Sequence, residues 1–211
     1  MQNIANDLIA EVARYYTSRL IQHGQTPAGV DWNGAAGQML RFEQLCRIIE
    51  PSAAFSVNDL GCGYGALHDF LAQRYQSFSY SGIDISGEMI RAAEQRHGNK
   101  AQVSFVHSSA PGQIADYGIA SGIFNVRLGR SDDEWRWYIE STLDLLNRTS
   151  RKGFSFNCLT SYSDAERMRD DLYYADPCVL FDRCKRHYSK EVALLHDYGL
   201  YEFTIHVRKR Q

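Results

Sequence analysis

Hydrophobic positions along the chain change period several times, and each change marks an element. Over residues 2–23, Ile4, Leu8, Val12, Tyr15, Tyr16 and Leu20 recur at steps of three and four. That is the spacing of one helical face, and Gly24 supplies a stop. A polar loop follows from Gln25 to Gly37. A second helix then carries Met39, Phe42, Leu45, Cys46 and Ile49 and ends near Pro51. From residue 54 strands and helices alternate. Ala54–Leu60 is a short apolar run without a polar face, as a central parallel strand shows. A helix with Leu67, Phe70, Leu71 and Tyr75 leads to a strand over Phe78–Ile83. Ser86 caps the next helix, with Glu88 in its first turn. Strands are expected at Val103–His107, Tyr117–Ile123 and Gly153–Leu159.

Ser131-Asp132-Asp133-Glu134 has capping-box spacing and opens a helix with Trp135, Tyr138, Ile139, Leu143 and Leu146 on one stripe. Asp176-Pro177 reads as a cap with proline at the first helical position. The chain closes with a hairpin, Val192–His196 and Tyr201–Val207. In its last strand Tyr201, Phe203, Ile205 and Val207 alternate with Glu202, Thr204, His206 and Arg208, the period of a half-buried strand. The expected fold is α/β: a doubly wound, mostly parallel seven-stranded sheet with a terminal antiparallel hairpin. Residues 1–52 form an N-terminal helical lid and 53–211 the ligand-binding domain.

Composition narrows the function. Lys plus Arg number 23 against 25 Asp plus Glu in 211 residues, a formal charge of −2. Bulk charge therefore does not drive the chain onto nucleic acid or an anionic membrane. No apolar run reaches the roughly 18–20 residues of a membrane span, and no basic residue precedes Arg14 in the manner of a secretory signal. The five cysteines, Cys46, Cys62, Cys158, Cys178 and Cys184, include no C-x-x-C pair. They read as reduced thiols of a cytoplasmic protein, not as a zinc site or disulfide frame.

The informative stretch is Asp59-Leu60-Gly61-Cys62-Gly63-Tyr64-Gly65, between a strand and a helix. Glycine at 61, 63 and 65 removes side chains where the backbone must turn and approach a ligand. Asp84 follows at the tip of the next strand, placed to accept hydrogen bonds from ribose hydroxyls. A nicotinamide dinucleotide calls for G-x-G-x-x-G and a pyrophosphate on the helix N-terminus. Here the third glycine comes one position early, and Asp59 would repel a pyrophosphate. It suits a cationic ligand, and S-adenosylmethionine carries a sulfonium.

With VNDLGCGYG at 57–65, YSGIDISGEMI at 80–90 and YGIASGIFNV at 117–126, the sequence resembles the class I S-adenosylmethionine-dependent methyltransferases over residues 54–208. The resemblance implies that Gly61, Gly63 and Gly65 make way for the methionyl part and the nucleoside, with Cys62 and Tyr64 of the same turn bordering the cofactor. It implies that Asp84 holds the ribose and that Ile85 and Met89 line the adenine pocket. The family often has an acidic residue after strand three; here Ser108, Ser109 and Ala110 stand there. Arg41 is expected to reach the methionyl carboxylate by bidentate pairing, and Ser121 to border the cofactor.

Tyr15, Tyr16 and Trp32 are expected over the methyl group, since aromatic faces attract cations. Phe124 and Asn125 stand where the family places its acceptor, and Tyr162 and Tyr174 belong to an acceptor wall between 161 and 176. Asn125 is not part of an N-P-P-[YF] tetrad, which argues against methylation of DNA base amino groups. Among seven scattered histidines, His196 beside Asp197 is the first to test as a general base. The expected activity is methyl transfer to an oxygen or nitrogen of a small molecule. The alternatives are an RNA or protein methyltransferase, or a cofactor-binding regulator without transfer activity.

Overall fold

The computed structural model describes residues 2–51, 54–98 and 100–209. The expected boundary at 52/53 lies outside them. The chain runs α1 (Gln2–His23), α2 (Ala35–Cys46), β1 (Phe55–Leu60), α3 (Ala66–Ala72), β2 (Phe78–Asp84), α4 (Gly87–His97), β3 (Val103–His107) and β4 (Ala115–Ala120). It continues with α5 (Asp132–Thr149), β5 (Ser150–Thr160), β6 (Tyr174–Ala175), α6 (Pro177–His187), β7 (Glu191–Leu195) and β8 (Glu202–Arg208). The caps form as the sequence dictates. The Ser86 hydroxyl accepts from Met89 N, Ser131 and Glu134 close a capping box, and Asp176 accepts from Cys178 N and Val179 N.

The sheet order is β3-β2-β1-β4-β5-β8-β7, with the two-residue β6 paired to β5. β8 is antiparallel to both β5 and β7, and the other pairings are parallel. From β1 the chain winds outward through β2 and β3, and from β4 it winds the other way. The order therefore reverses between β1 and β4, and in such sheets the crevice beyond the strand ends at that point receives ligands.

Each face has its own core. Phe42, Leu45, Val57, Leu67, Phe70 and Tyr80 pack together under α2, α3 and α4. Leu60, Ile83, Trp135, Ile139, Phe156 and Phe203 pack under α5 and α6, joined by Leu8 and Val12 of α1. α2 thus belongs to the layer covering the sheet, and the crossing element is α1 with the turn Pro27–Val30. No described helix is long and apolar enough to cross a membrane.

Two local expectations differ from what is observed, and one connection is unusually short. β4 stops at Ala120, because Gly122 with φ +74° turns the chain away. The alternation in β8 does not leave a solvated face: Glu202, Thr204 and His206 are all buried. α2 covers that face, and His206 Nε2 sits 2.8 Å from Gln44 O. Lastly, β3 and β4 are joined by segment 108–114 without a helix. Parallel strands normally need a dozen or more residues to cross over. Fully extended, these seven span at most about 25 Å, enough for one strap laid over the sheet. Buried Asn58 pins it, donating from Nδ2 to Gln113 O at 2.8 Å.

Candidate functional site

Above the reversal point lies a cavity of about 460 Å³, within the range of small-molecule sites. Its floor is the turn after β1. Gly61 and Gly63 have φ of +76° and +54°, and a Cβ on Gly61 would stand 2.2 Å from Ile123 Cγ2. Glycine is therefore required there by both backbone and space. Asp84, buried at the tip of β2, ties this turn to the head of α4. Its Oδ2 accepts from Gly63 N at 2.9 Å and its Oδ1 from Ser86 N at 2.8 Å. Burial raises the Asp84 pKa, against the lowering effect of those two amides. Each carboxylate oxygen keeps a further lone pair.

Asp59 is also buried and lines the cavity. Burial pushes its carboxyl up to about 7, although the Tyr80 hydroxyl donates to it at 2.5 Å and opposes the shift. Tyr64 is buried too, its hydroxyl 3.2 Å from Gln38 Nε2. Cys62, Ile85, Met89, Ser108, Ser109, Ala110 and Ser121 complete the half of the wall that the sequence pointed to. Ser121 Oγ is buried without a hydrogen-bond partner. That hydroxyl is available to hydrogen-bond a ligand in the cavity.

The roof is α1 with the turn after it. Tyr16 and Trp32 line the cavity. Tyr15 does not: its hydroxyl donates to Asp31 Oδ2 at 2.8 Å, and its ring packs edge-on against Tyr16. Asp31 also pairs with Arg19 at 3.1 Å and Arg169 at 3.3 Å. The roof is pinned further by Thr17 on Ser86 at 2.7 Å and Glu11 on Arg130 at 2.7 Å.

Several expected residues lie elsewhere. Arg41 does not offer its guanidinium to the cavity, because Nε and an Nη grip Glu202. It acts through a chain of contacts. Glu202 accepts from Asn157 Nδ2 at 2.6 Å, and Asn157 Oδ1 accepts from Gly122 N at 2.8 Å. The Arg41 guanidinium also lies over the Trp32 ring, 4.4 Å from its centre. Gly65 holds the turn with φ +81° but is not in the wall. Phe124 is core, and Asn125 Oδ1 accepts from Leu159 N. Tyr162 is exposed against His196, on the rim of the hairpin and away from the cavity. Tyr174 hydroxyl accepts from Arg169 N. The 161–176 segment thus meets the roof through Arg169 and does not form the wall.

The wall not foreseen is α5. Trp137, Tyr138, Ser141, Thr142 and Leu145 line the cavity opposite Ser108–Ala110, and Leu8, Ile9 and Val12 of α1 close it above. The sequence held a signal. Trp137, Ser141 and Leu145 recur every four residues beside the core stripe of the same helix.

Comparison with known proteins decides the family. The chain is 64% identical over 163 residues to Rv1506c of Mycobacterium tuberculosis (strain ATCC 25618 / H37Rv), a protein named as a methyltransferase; the match covers 77% of this chain and 98% of that one. The chain belongs to the class I S-adenosylmethionine-dependent methyltransferases. Residues 57–153 match the family described as "Methyltransferase domain". The fold is shared with N-methyltransferase NodS from Bradyrhizobium japonicum WM9 in complex with S-adenosyl-L-homocysteine. That similarity has a TM-score of 0.65 at 16% identity and covers 94% of this chain and 98% of that one. It is shared also with DhpI in its S-adenosylhomocysteine complex, with a TM-score of 0.64 at 18% identity and coverage of 95% and 96%. The cosubstrate of this methyltransferase is S-adenosylmethionine, and the glycine turn, Asp84 and the orphan Ser121 hydroxyl fit such a ligand.

Proposed function

We propose that this methyltransferase transfers the methyl group to an oxygen or nitrogen of a small molecule held between α1, Trp32 and the outer face of α5. The observation that carries this reading is the apolar wall beyond the glycine turn, made by Leu8, Ile9, Tyr16, Trp32, Trp137 and Leu145. A polymer would need an open, polar track, and the chain's charge of −2 adds no general attraction for RNA.

In this reading Asp84 holds the ribose, Ile85 and Met89 with Ser108–Ala110 enclose the adenine, and Asp59 faces the cationic end. Bound S-adenosylmethionine supplies an activated methyl whose sulfur leaves as a neutral thioether. The protein then has no leaving-group charge to stabilise, and its residues act by alignment. Such positioning supplies about 7–11 kcal/mol in favourable cases. α1 and the Pro27–Trp32 turn act as the lid that excludes water. Among the described residues no histidine lines the cavity; a carboxylate acceptor needs no base at neutral pH, whereas a phenol or amine must lose a proton, and Asp59, with its carboxyl at about 7, lines the same cavity. All five thiols are free, four of them buried, in keeping with a reducing cytoplasm.

The test is methyl transfer from methyl-labelled S-adenosylmethionine to parallel panels of small carboxylates, phenols, amines, tRNA and unfolded peptides. Label on a small acceptor, with its KM raised by Trp137→Ala, is the expected result. Label confined to tRNA or peptide overturns the reading.

A further inference from the structure

Behind the glycine turn, the first turn of α3 and the last turn of α4 bring together His68, Asp69 and His97. Both imidazoles are more than nine-tenths buried, and one donor atom from each of the three residues lies within 4.8 Å of the others. Hydrogen bonding fixes the tautomer of His97. His97 Nε2 sits 3.0 Å from the carbonyl oxygen of Gly65. A carbonyl only accepts, so Nε2 carries the proton, and Nδ1 of the neutral ring is a bare lone pair. That Nδ1 faces Asp69 Oδ1 at 3.7 Å, another lone-pair carrier. Nδ1 of His68 is likewise buried without a partner, as is Nδ1 of His97. The two rings meet edge to face with centres 4.5 Å apart. Arg96 occupies the other oxygen of Asp69, Oδ2, at 2.7 Å and leaves Oδ1 free. One potential ligand atom from each of the three residues thus converges, and neither histidine Nδ1 has a hydrogen-bond partner.

We infer that His68 Nδ1, His97 Nδ1 and Asp69 Oδ1 form a site for a zinc-type divalent metal ion. Two imidazoles and a carboxylate suit zinc, copper or nickel, whereas magnesium and calcium take all-oxygen sets. Three protein ligands leave one tetrahedral position for water. A metal-ligating histidine normally donates its other ring N–H to a carbonyl or carboxylate, and His97 already makes that bond to Gly65. Binding would require the three atoms, now within 4.8 Å of one another, to close to metal–ligand distances of about 2.0–2.2 Å.

The consequence reaches the cosubstrate. The ion would clamp α3 to α4 and, through the His97–Gly65 bond, hold the turn at a residue with φ +81°. A Cβ there would stand 2.6 Å from His97 Nε2, so turn and ring are already in direct contact.

The test titrates tag-free, full-length protein with zinc alone by calorimetry, and follows cobalt by its visible ligand-field absorption. Neither readout depends on methyl transfer, so the result stands apart from the proposed function. His68→Phe keeps the ring contacts to Tyr80 and Phe78 and removes the donor. Asp69→Asn changes a partly exposed side chain and removes the charge. The expected result is one equivalent of zinc, bound at least tenfold more weakly by each variant, with the cobalt bands lost in both. Absence of stoichiometric binding, or binding unchanged in either folded variant, overturns the site. If His68→Phe does not fold, Asp69→Asn decides alone.

Discussion

Replacing Asp84 by alanine tests the centre of the proposed cosubstrate site. The side chain performs two tasks that separate in magnitude. It accepts Gly63 N and Ser86 N at 2.9 and 2.8 Å, and its free lone pairs are proposed to take the two ribose hydroxyls. A hydrogen bond to a charged group contributes about 1.5–3 kcal/mol. Losing the two internal bonds is partly offset by removal of a buried charge, since burial already disfavours the ionised form. The net stability loss is about 2–3 kcal/mol, or about 4–12 °C in Tm for a chain of this size. Losing two bonds to ribose costs a further 3–6 kcal/mol, roughly 10²–10⁴-fold in Kd. Calorimetry with S-adenosylhomocysteine reads the second number and a thermal melt reads the first. A folded Asp84→Ala protein that binds the product within threefold of wild type would refute the assignment, whatever its Tm.

Two further substitutions separate positioning from contact. Arg41→Gln leaves Glu202 buried with only Asn157 as a charge-neutral partner; breaking such a buried pair costs about 3–5 kcal/mol. Melting should fall accordingly while S-adenosylhomocysteine affinity changes less than tenfold. A hundredfold affinity loss at unchanged Tm would return Arg41 to direct contact with the methionyl carboxylate. For Asp59, the carboxyl rises from 3.8 to about 7 on folding. The folded chain keeps its proton between those values while the unfolded chain ionises, so this stabilisation is present below pH 4 and lost as pH rises to about 7. The full change is about 4 kcal/mol. Denaturant unfolding at pH 5 and pH 8 should therefore show a smaller decline in Asp59→Asn than in wild type, and equal declines would exclude Asp59 as the source.

Features set by local chemistry were readable from the sequence. The turn glycines, Asp84 and the caps at Ser86, Ser131 and Asp176 each answer a requirement that a few neighbouring residues impose. What escaped depends on residues far apart in the chain. Arg41 and Glu202 are separated by 161 positions, and nothing near either one shows that they pair. The wall on α5 was masked because Trp137 and Leu145 lie beside a stronger apolar stripe. Segment 108–114 is read easily as a short connection, but that its Ser108–Ala110 share a cavity wall with α5 is set by the sheet order and not by neighbouring residues. The histidine pair escaped because His68 and His97 sit on separate helices, each reading alone as an ordinary surface residue.

The buried polar residues of β8 show why a half-buried pattern can mislead near a site. A strand whose alternate residues are Glu, Thr and His reads as solvated on that side. Here Glu202 is held by Arg41 from α2 and passes the constraint through Asn157 to the amide of Gly122, whose φ of +74° bends the chain at the cavity wall. The same arginine lies against Trp32, and a Cβ on Gly122 would stand 3.0 Å from that ring. Floor and roof are therefore tied to one buried ion pair behind the sheet. A hydrophobic replacement could stabilise the fold equally well. It could not orient the Gly122 amide and the Trp32 ring together, and catalysis by alignment depends on such orientation. The buried polar face of β8 thus connects α2 and Trp32 to the Gly122 amide at the cavity wall.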